Sequence, residues 1–280
     1  MSEATLSSHR IRIKLQVTNG YFVQFDQLAQ LLGATCRDER PRIPQDDLAN
    51  AVGVAGRKIE NLASIAQALG LIAPVTYKPT PLGEVIAAQD PFLDDIGTLW
   101  LMHYIAASEP RFLVWNRFVN EFLPARGHFS YADLRGSFDD LKESHSTYTA
   151  KKHVTQEVKV LLDAYTEQAL SRLAYLRADG DNFRLSYREP LPPLVLAACL
   201  ARFRDRHRAG ATALSIDELL TAPNSPGRIC LIPADRLRSS LETLRAQSGF
   251  ALESRADLDQ VRLTDSTSDH QWMERYYASR

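Results

Sequence analysis

The sequence predicts a mainly α-helical protein with small β-wings, built as tandem winged helix-turn-helix modules around a central aromatic helical hub. Three observations carry this expectation. Pro44 to Gly83 reads as a helix, a glycine break, a longer helix and a short wing. Asp90 to Leu123 is the most apolar and aromatic stretch of the chain. The order helix, helix, hairpin then returns twice, ending in turns near Gly180 and in the segment Gln260-Val261-Arg262-Leu263. The corresponding division is 1–89, an N-terminal winged helix-turn-helix, 90–190, the hub with a second winged-helix-like module, and 191–280, a third such module.

In chain order, Ile11, Ile13, Leu15 and Val17 alternate with Arg12, Lys14 and Gln16, the period of a strand. Phe25 to Leu32 reads as a short amphipathic helix ending at Gly33, and Ala34 to Pro44 as a loop. Asp46 to Val52 carries an apolar stripe of Leu48, Ala49 and Val52. Gly53 makes the interhelical turn, which requires positive φ. Ala55 to Leu69 is the second helix, with Ile59, Leu62, Ala63, Ala66 and Leu69 inward and Gly70 as its cap. Leu71-Ile72 and Val75-Thr76-Tyr77 are the wing strands.

Left outside on that second helix are Gly56, Arg57, Lys58, Glu60, Asn61 and Ser64, where a recognition helix meets base edges and phosphates. Helix-turn-helix geometry also serves protein-binding scaffolds, so the motif does not dictate DNA contact.

Thr80 is the N-cap and Pro81 the first residue of the next helix. In the hub, Leu99, Trp100, Met102, His103, Ile105 and Ala106 form one buried helix. Phe112, Leu113, Trp115, Phe118, Val119 and Phe122 form another after Glu109-Pro110. Aromatic residues at helical spacing read as core rather than as a cofactor box. Asp90, Asp94 and Asp95 read as helix caps rather than metal ligands.

The run Asp90-Pro91-Phe92-Leu93-Asp94-Asp95-Ile96-Gly97-Thr98-Leu99-Trp100-Leu101-Met102-His103, with Trp115 and Asn120-Glu121-Phe122, resembles the signature of domain of unknown function family 4007. Gly70-Leu71-Ile72, Tyr77 to Glu84, the helical module from Phe129, Leu258 to Val261 and Glu274 to Tyr277 extend the likeness over most of the chain. The resemblance implies a bacterial protein of phage-defence loci, encoded beside DNA sulfur-modification (phosphorothioation) or BREX-like components. It supplies no catalytic residues.

Downstream, Ser130 with Asp133 opens a helix through Phe138 in capping-box fashion. After the polar loop Glu143 to Tyr148, a long helix from about Ala150 to Leu170 buries Val154, Val158, Leu161, Leu162 and Tyr165. It exposes Lys151, Lys152, His153, Gln156 and Lys159. Leu173 to Leu176 and Phe183 to Ser186 make a hairpin. Its turn lacks the ligand spacing of a calcium loop. Beyond Pro190-Leu191-Pro192-Pro193, Leu194 to Phe203 is an apolar helix ending in an arginine-rich run to Arg208. That run either holds phosphate or complements the helix terminus. Ser215 caps Ile216 to Thr221, Pro223 to Gly227 is a loop, Ala234 to Gln247 is a helix ended by Gly249, and a last hairpin follows.

The 280 residues are 45% hydrophobic and 24% charged, with a net charge of −1, so the chain lacks the global basic field of a nonspecific DNA coater. Contacts to nucleic acid must come from local patches: Arg57, Lys58, Asn61, Ser64 and Lys78 in the first module, Lys151, Lys152, His153, Gln156 and Lys159 in the second. Three scattered cysteines fit a reducing cytoplasm. No stretch approaches the about 18 apolar residues of a membrane span. No phosphate-binding loop, dinucleotide fingerprint, zinc motif or nucleophile elbow is present. The expectation is therefore a cytoplasmic, non-enzymatic, cofactor-free binder of double-stranded DNA that works with other defence proteins. Two alternatives stand beside it: a scaffold that assembles modification enzymes, and a regulator of its own locus that binds as a symmetric homodimer.

Overall fold

The computed structural model describes residues 18, 24–141, 147–186, 190–255, 258–263 and 266–280. The alternating segment expected as a strand over Arg10 to Val17 lies outside the described residues, as does most of the polar loop after Glu143. The chain is mainly helical, with two small three-stranded antiparallel sheets.

The N-terminal segment contains α1 (Phe25–Arg37), α2 (Gln45–Val52), α3 (Gly56–Ala68) and α4 (Pro81–Gln89). Helix α1 continues through Gly33, where the sequence suggested a stop, because Ala34 and Thr35 are buried and extend its apolar face by a turn. Gly53 takes φ +70° and turns α2 into α3. Gly70 takes φ +71°. Its N–H donates to the Gln67 carbonyl (3.0 Å) and that of Leu71 to Ala66 (2.8 Å), a Schellman end to α3. The expected wing is smaller than two strands. Ile72 and Pro79 form a single bridge, and the expected second strand is the turn itself, with Val75 and Tyr77 at φ 71° and 58°. Three residues between Pro74 and Lys78 are too few to run out and return as a ladder. Thr80 accepts from the Gly83 N–H (3.0 Å) and caps α4.

The hub is α5 (Ile96–Ser108) followed by α6 (Leu113–Arg117). Asp95 accepts from the N–H groups of Gly97 (2.8 Å) and Thr98 (3.1 Å), and Asp90 from those of Asp94 (3.1 Å) and Asp95 (3.0 Å), so these carboxylates are caps. Every residue of α5 after Ile96 is buried, so this helix has no solvent face. After α6 the chain widens into a π-turn, Phe118–Phe122, and tightens into a 3₁₀ turn, Leu123–Ala125, where the sequence suggested one continuous helix. The π-turn carries buried Asn120. Its Oδ1 accepts from the Asn224 N–H (2.7 Å) and its Nδ2 donates to Asn224 Oδ1 (3.0 Å), fastening the hub to the C-terminal segment.

Next come β1 (His128–Ser130), α7 (Tyr131–Gly136), α8 (Thr147–Thr166), β2 (Leu176–Asp179) and β3 (Asn182–Leu185), with sheet order β1-β3-β2. Ser130 and Asp133 form the expected capping box. Helix α8 ends at Thr166 rather than Leu170, and Ala169–Leu173 forms a separate 3₁₀ turn.

The C-terminal segment has α9 (Pro193–His207), β4 (Ala213–Ser215), α10 (Ile216–Thr221), α11 (Pro226–Ile229), α12 (Ala234–Leu244), β5 (Phe250–Arg255), β6 (Leu258–Leu263) and α13 (Asp269–Ala278), with sheet order β4-β6-β5. The stretch read as a loop over Pro223 to Gly227 begins the short helix α11, capped by Ser225 with Pro226 at its first position. Helix α13 was not anticipated. It packs on both α9 and α4, and so joins the C-terminal segment to the N-terminal one. Cys199 and Cys230, remote in sequence, are hydrogen-bonded neighbours in the core, and burial pushes the Cys199 thiol up.

His103 lies at the centre of the hub. Its Nε2 faces the Ile229 carbonyl (3.1 Å), which can only accept, so Nε2 carries the proton and Nδ1 accepts from the Tyr165 hydroxyl (2.5 Å). Tyr175 donates to the same carbonyl (2.9 Å). Burial pushes the imidazole down to about 4 from a usual 6.5, with the Ile229 hydrogen bond opposing. The unfolded chain therefore takes up a proton between pH 6.5 and about 4 that the folded chain refuses. Stability present above pH 6.5 is lost across that window, by about 3 kcal/mol from this group. Urea unfolding as a function of pH should show His103→Gln with a shallower acid limb than the parent.

Glycine packing gives a second expectation. A Cβ on Gly83 would lie 2.0 Å from the Leu71 carbonyl oxygen, whereas one on Gly136 would meet nothing. Gly83→Ala should cost about 3 kcal/mol or prevent folding. Gly136→Ala should be neutral or stabilising by about 0.5 kcal/mol. Paired denaturation curves would measure both.

Candidate nucleic-acid interface

The two helices expected to carry DNA contacts are α3 and α8, and one residue joins them. Thr18 donates from its backbone N–H (2.9 Å) and from its hydroxyl (2.7 Å) to Glu157 Oε1 on α8. Its carbonyl accepts from Asn61 Nδ2 on α3 (3.3 Å). Asn61 and Glu157 are each 2% exposed. Residues far apart in sequence thus meet through a short chain of hydrogen bonds that ties the middle of α3 to the middle of α8.

Arg57 is exposed and Lys58 half-buried, four and three residues before Asn61 respectively and so one turn along the helix. His153 is half-buried, one turn before Glu157, with Lys151 and Lys152 exposed just ahead of it. Lys159 is exposed, and Gln156 and Ser64 are half-buried. Arg57, Lys151, Lys152 and Lys159 have no ion-pair partner among the described residues.

Two of the expected contact residues are not available as the sequence suggested. Asn61 is no surface amide: its side chain turns inward to Thr18, because a buried backbone carbonyl there needs a donor. Lys78 is half-buried and its Nζ donates to the Asp38 carbonyl, tying the bridge of the first module to the loop after α1. The arginine run of α9 is likewise spent within the fold. Arg202 pairs with Asp269 (2.6 Å), Arg204 with Asp205 (2.7 Å), Arg206 with Glu109 (3.1 Å) and Arg208 with Glu218. Sequence reading missed Thr18 and Glu157. The one available signal was an acidic residue amid the lysines of α8.

Among the described residues no group of three or more His, Cys, Asp or Glu could hold a metal ion, and no helix is long and apolar enough to cross a membrane.

A mainly helical chain with two three-stranded sheets, its modules bridged through a buried polar node, is what this geometry defines. The chain belongs to the family described as "Protein of unknown function (DUF4007)", whose profile matches residues 51–277. No curated protein matches it. Among solved structures it is similar to magnesium ion-bound SspB, at 16% identity and a TM-score of 0.73, with 93% of each chain covered. A second SspB structure gives 17% identity and a TM-score of 0.72, covering 93% of this chain and 85% of that one. At such identity the likeness establishes the fold.

The bridge makes a checkable demand. Glu157→Ala removes the acceptor of two Thr18 bonds and should lower unfolding stability by about 2 kcal/mol. Lys159→Ala, on the solvent side of the same helix, should change it by less than about 0.5 kcal/mol. Chemical denaturation of the two variants would decide.

Proposed function

We propose that the protein is a double-stranded DNA-binding component of a bacterial phage-defence or DNA-modification system, of the phosphorothioation or BREX-like kind, and that it is not itself an enzyme. The observation that supports the DNA reading is the tie between α3 and α8 through Thr18, with four exposed cations on them that have no ion-pair partner among the described residues. Element order supports treating these as recognition helices. The second and third segments each run helix, short strand, helices, then a hairpin whose distal strand lies in the middle of the sheet. That is the order of a winged helix, and α3 has the same place in the first segment. The defence association rests on the family resemblance alone.

Arg57, Lys58, Lys151, Lys152 and Lys159 hold phosphates in this reading, with Ser64, His153 and Gln156 within reach of backbone or base edges. Asn61 and Lys78 act by positioning α3 and its turn. A scaffold role in the same complex is the second reading. It is favoured by the net charge of −1 and by Phe92, a large apolar side chain left 74% exposed.

Titration against random duplex DNA at two salt concentrations tests the proposal. The expected result is micromolar or tighter binding that weakens with salt. Lys151→Glu with Lys152→Glu should weaken it and lower the salt slope by about 1 for each phosphate no longer neutralised. Absence of binding at low salt would transfer the assignment to the scaffold. Because one SspB structure holds magnesium, the same preparations should be incubated with supercoiled plasmid and magnesium. Appearance of nicked circles would overturn the non-enzymatic part of the reading.

A further inference from the structure

Helix α12 has a surface that the DNA reading does not use. Arg236, Ser239, Ser240 and Thr243 follow one another at i, i+3, i+4 and i+7, so they share one face. That face lines a cleft of about 480 Å³ between the hub and the C-terminal segment. The opposite wall is apolar and aromatic, with Trp100, Tyr175 and Leu196 among its residues. The volume lies within the range of roughly 300–1,000 Å³ that small-molecule sites occupy, and the junction of two segments is where such sites recur.

The lining is asymmetric in charge. Arg236 is its one cation and no carboxylate is present among its described residues. Arg236 is exposed and has no hydrogen-bond or ion-pair partner among the described residues, whereas the neighbouring Arg238 is paired with Asp259. An unpaired guanidinium beside the hydroxyls of Ser239 and Ser240 favours an oxyanion, which accepts hydrogen bonds from them, while the Thr243 hydroxyl is spent on the Ser239 carbonyl (3.0 Å). Trp100 and Tyr175 are 4% and 2% exposed, and Tyr175 already packs against Tyr165 and His103, so the wall offers a flat ring apolar contact rather than an open ring face. Trp100 and Tyr175 meet edge to face at 6.3 Å, and Tyr175 also stacks on Tyr165, so this wall is held rigid from behind.

We propose that this cleft binds a flat ring bearing an anionic group, of the size and chemistry of a nucleoside monophosphate, with the phosphate at Arg236 and the base against the apolar wall that includes Leu191, Leu231 and Ile232. Such a unit has two sources: a free nucleotide, or one nucleotide of an unpaired DNA strand. In the second case the site deepens the DNA-binding reading, since a base outside the helical stack can be taken up in an apolar pocket.

The test is calorimetric titration of the full chain with deoxyadenosine monophosphate, with deoxyadenosine and inorganic phosphate as the separated halves. The expected result is binding at about 1 mM or tighter for the nucleotide and roughly tenfold weaker binding for either half. Arg236→Glu should weaken the nucleotide roughly tenfold, and Ser240→Trp should fill the cleft and abolish binding. Both changes lie on the accessible side of α12, and an unchanged melting temperature would show that each variant folds. Competition by a short single-stranded oligonucleotide assigns the site to a strand, and its failure to compete assigns it to a free nucleotide. Nucleotide binding that is undetectable, or equal in parent and variants, overturns the proposal. Duplex titration of the same proteins keeps the two readings separate. Absence of duplex binding in the parent would end the double-stranded DNA reading, while the nucleotide result would stand independently.

Discussion

One neutral imidazole sits where three parts of the chain meet. His103 comes from α5, its Nδ1 partner Tyr165 from α8, and its Nε2 partner, the Ile229 carbonyl, from α11. Inside an apolar core a polar ring is tolerated only if both nitrogens are satisfied. The geometry of each segment is therefore constrained by the other two. Trp100, Tyr165 and Tyr175 close around the ring at centroid distances of 4.5 to 5.6 Å, so displacement of any segment breaks stacking as well as hydrogen bonds. The Asn120–Asn224 exchange repeats the device a few turns away, and the π-turn supplies the register that brings Asn120 inward.

This constraint explains how a chain of near-zero net charge can carry a local basic surface. Charges that stabilise the fold are placed in pairs: Arg202 with Asp269, Arg206 with Glu109, Arg117 with Asp140. Arg57, Lys151, Lys152 and Lys159, without an ion-pair partner among the described residues, stand on the two helices that the Thr18 bridge ties together. Exposed ion pairs contribute little to stability individually. The consequence of pairing is electrostatic, since it cancels positive potential locally. Phosphate contacts, in the proposed reading, use what remains.

The similarity to SspB at 16–17% identity shows how few residues such a fold demands. In this chain the fold rests on a helix apolar on every side, caps at defined positions, and glycines where another group approaches closely. The Leu71 and Leu219 carbonyls approach Gly83 and Gly227, and the Tyr276 ring of α13 approaches Gly97 and so joins the last helix to the hub.

Local chemistry was legible in the sequence. The caps at Thr80, Ser130 and Ser215, the turns at Gly53 and Gly70, and the inward faces of α3 and α8 followed from residue type and spacing, and the family from the likeness of the Asp90–His103 stretch to its signature. Each depends on neighbours within a turn or two, where the chain itself sets the distance. Long-range partnership was not legible. Asn61 looked like a surface amide because its face of α3 is otherwise polar, and only folding brings the Thr18 carbonyl to it. The arginines of α9 read equally as a phosphate site or as a complement to the helix terminus, because their acids lie up to 97 residues away in the chain. Periodicity reports which side of an element is apolar. Which polar group meets which across the molecule depends on how elements stack, and that information exists only once the chain is folded.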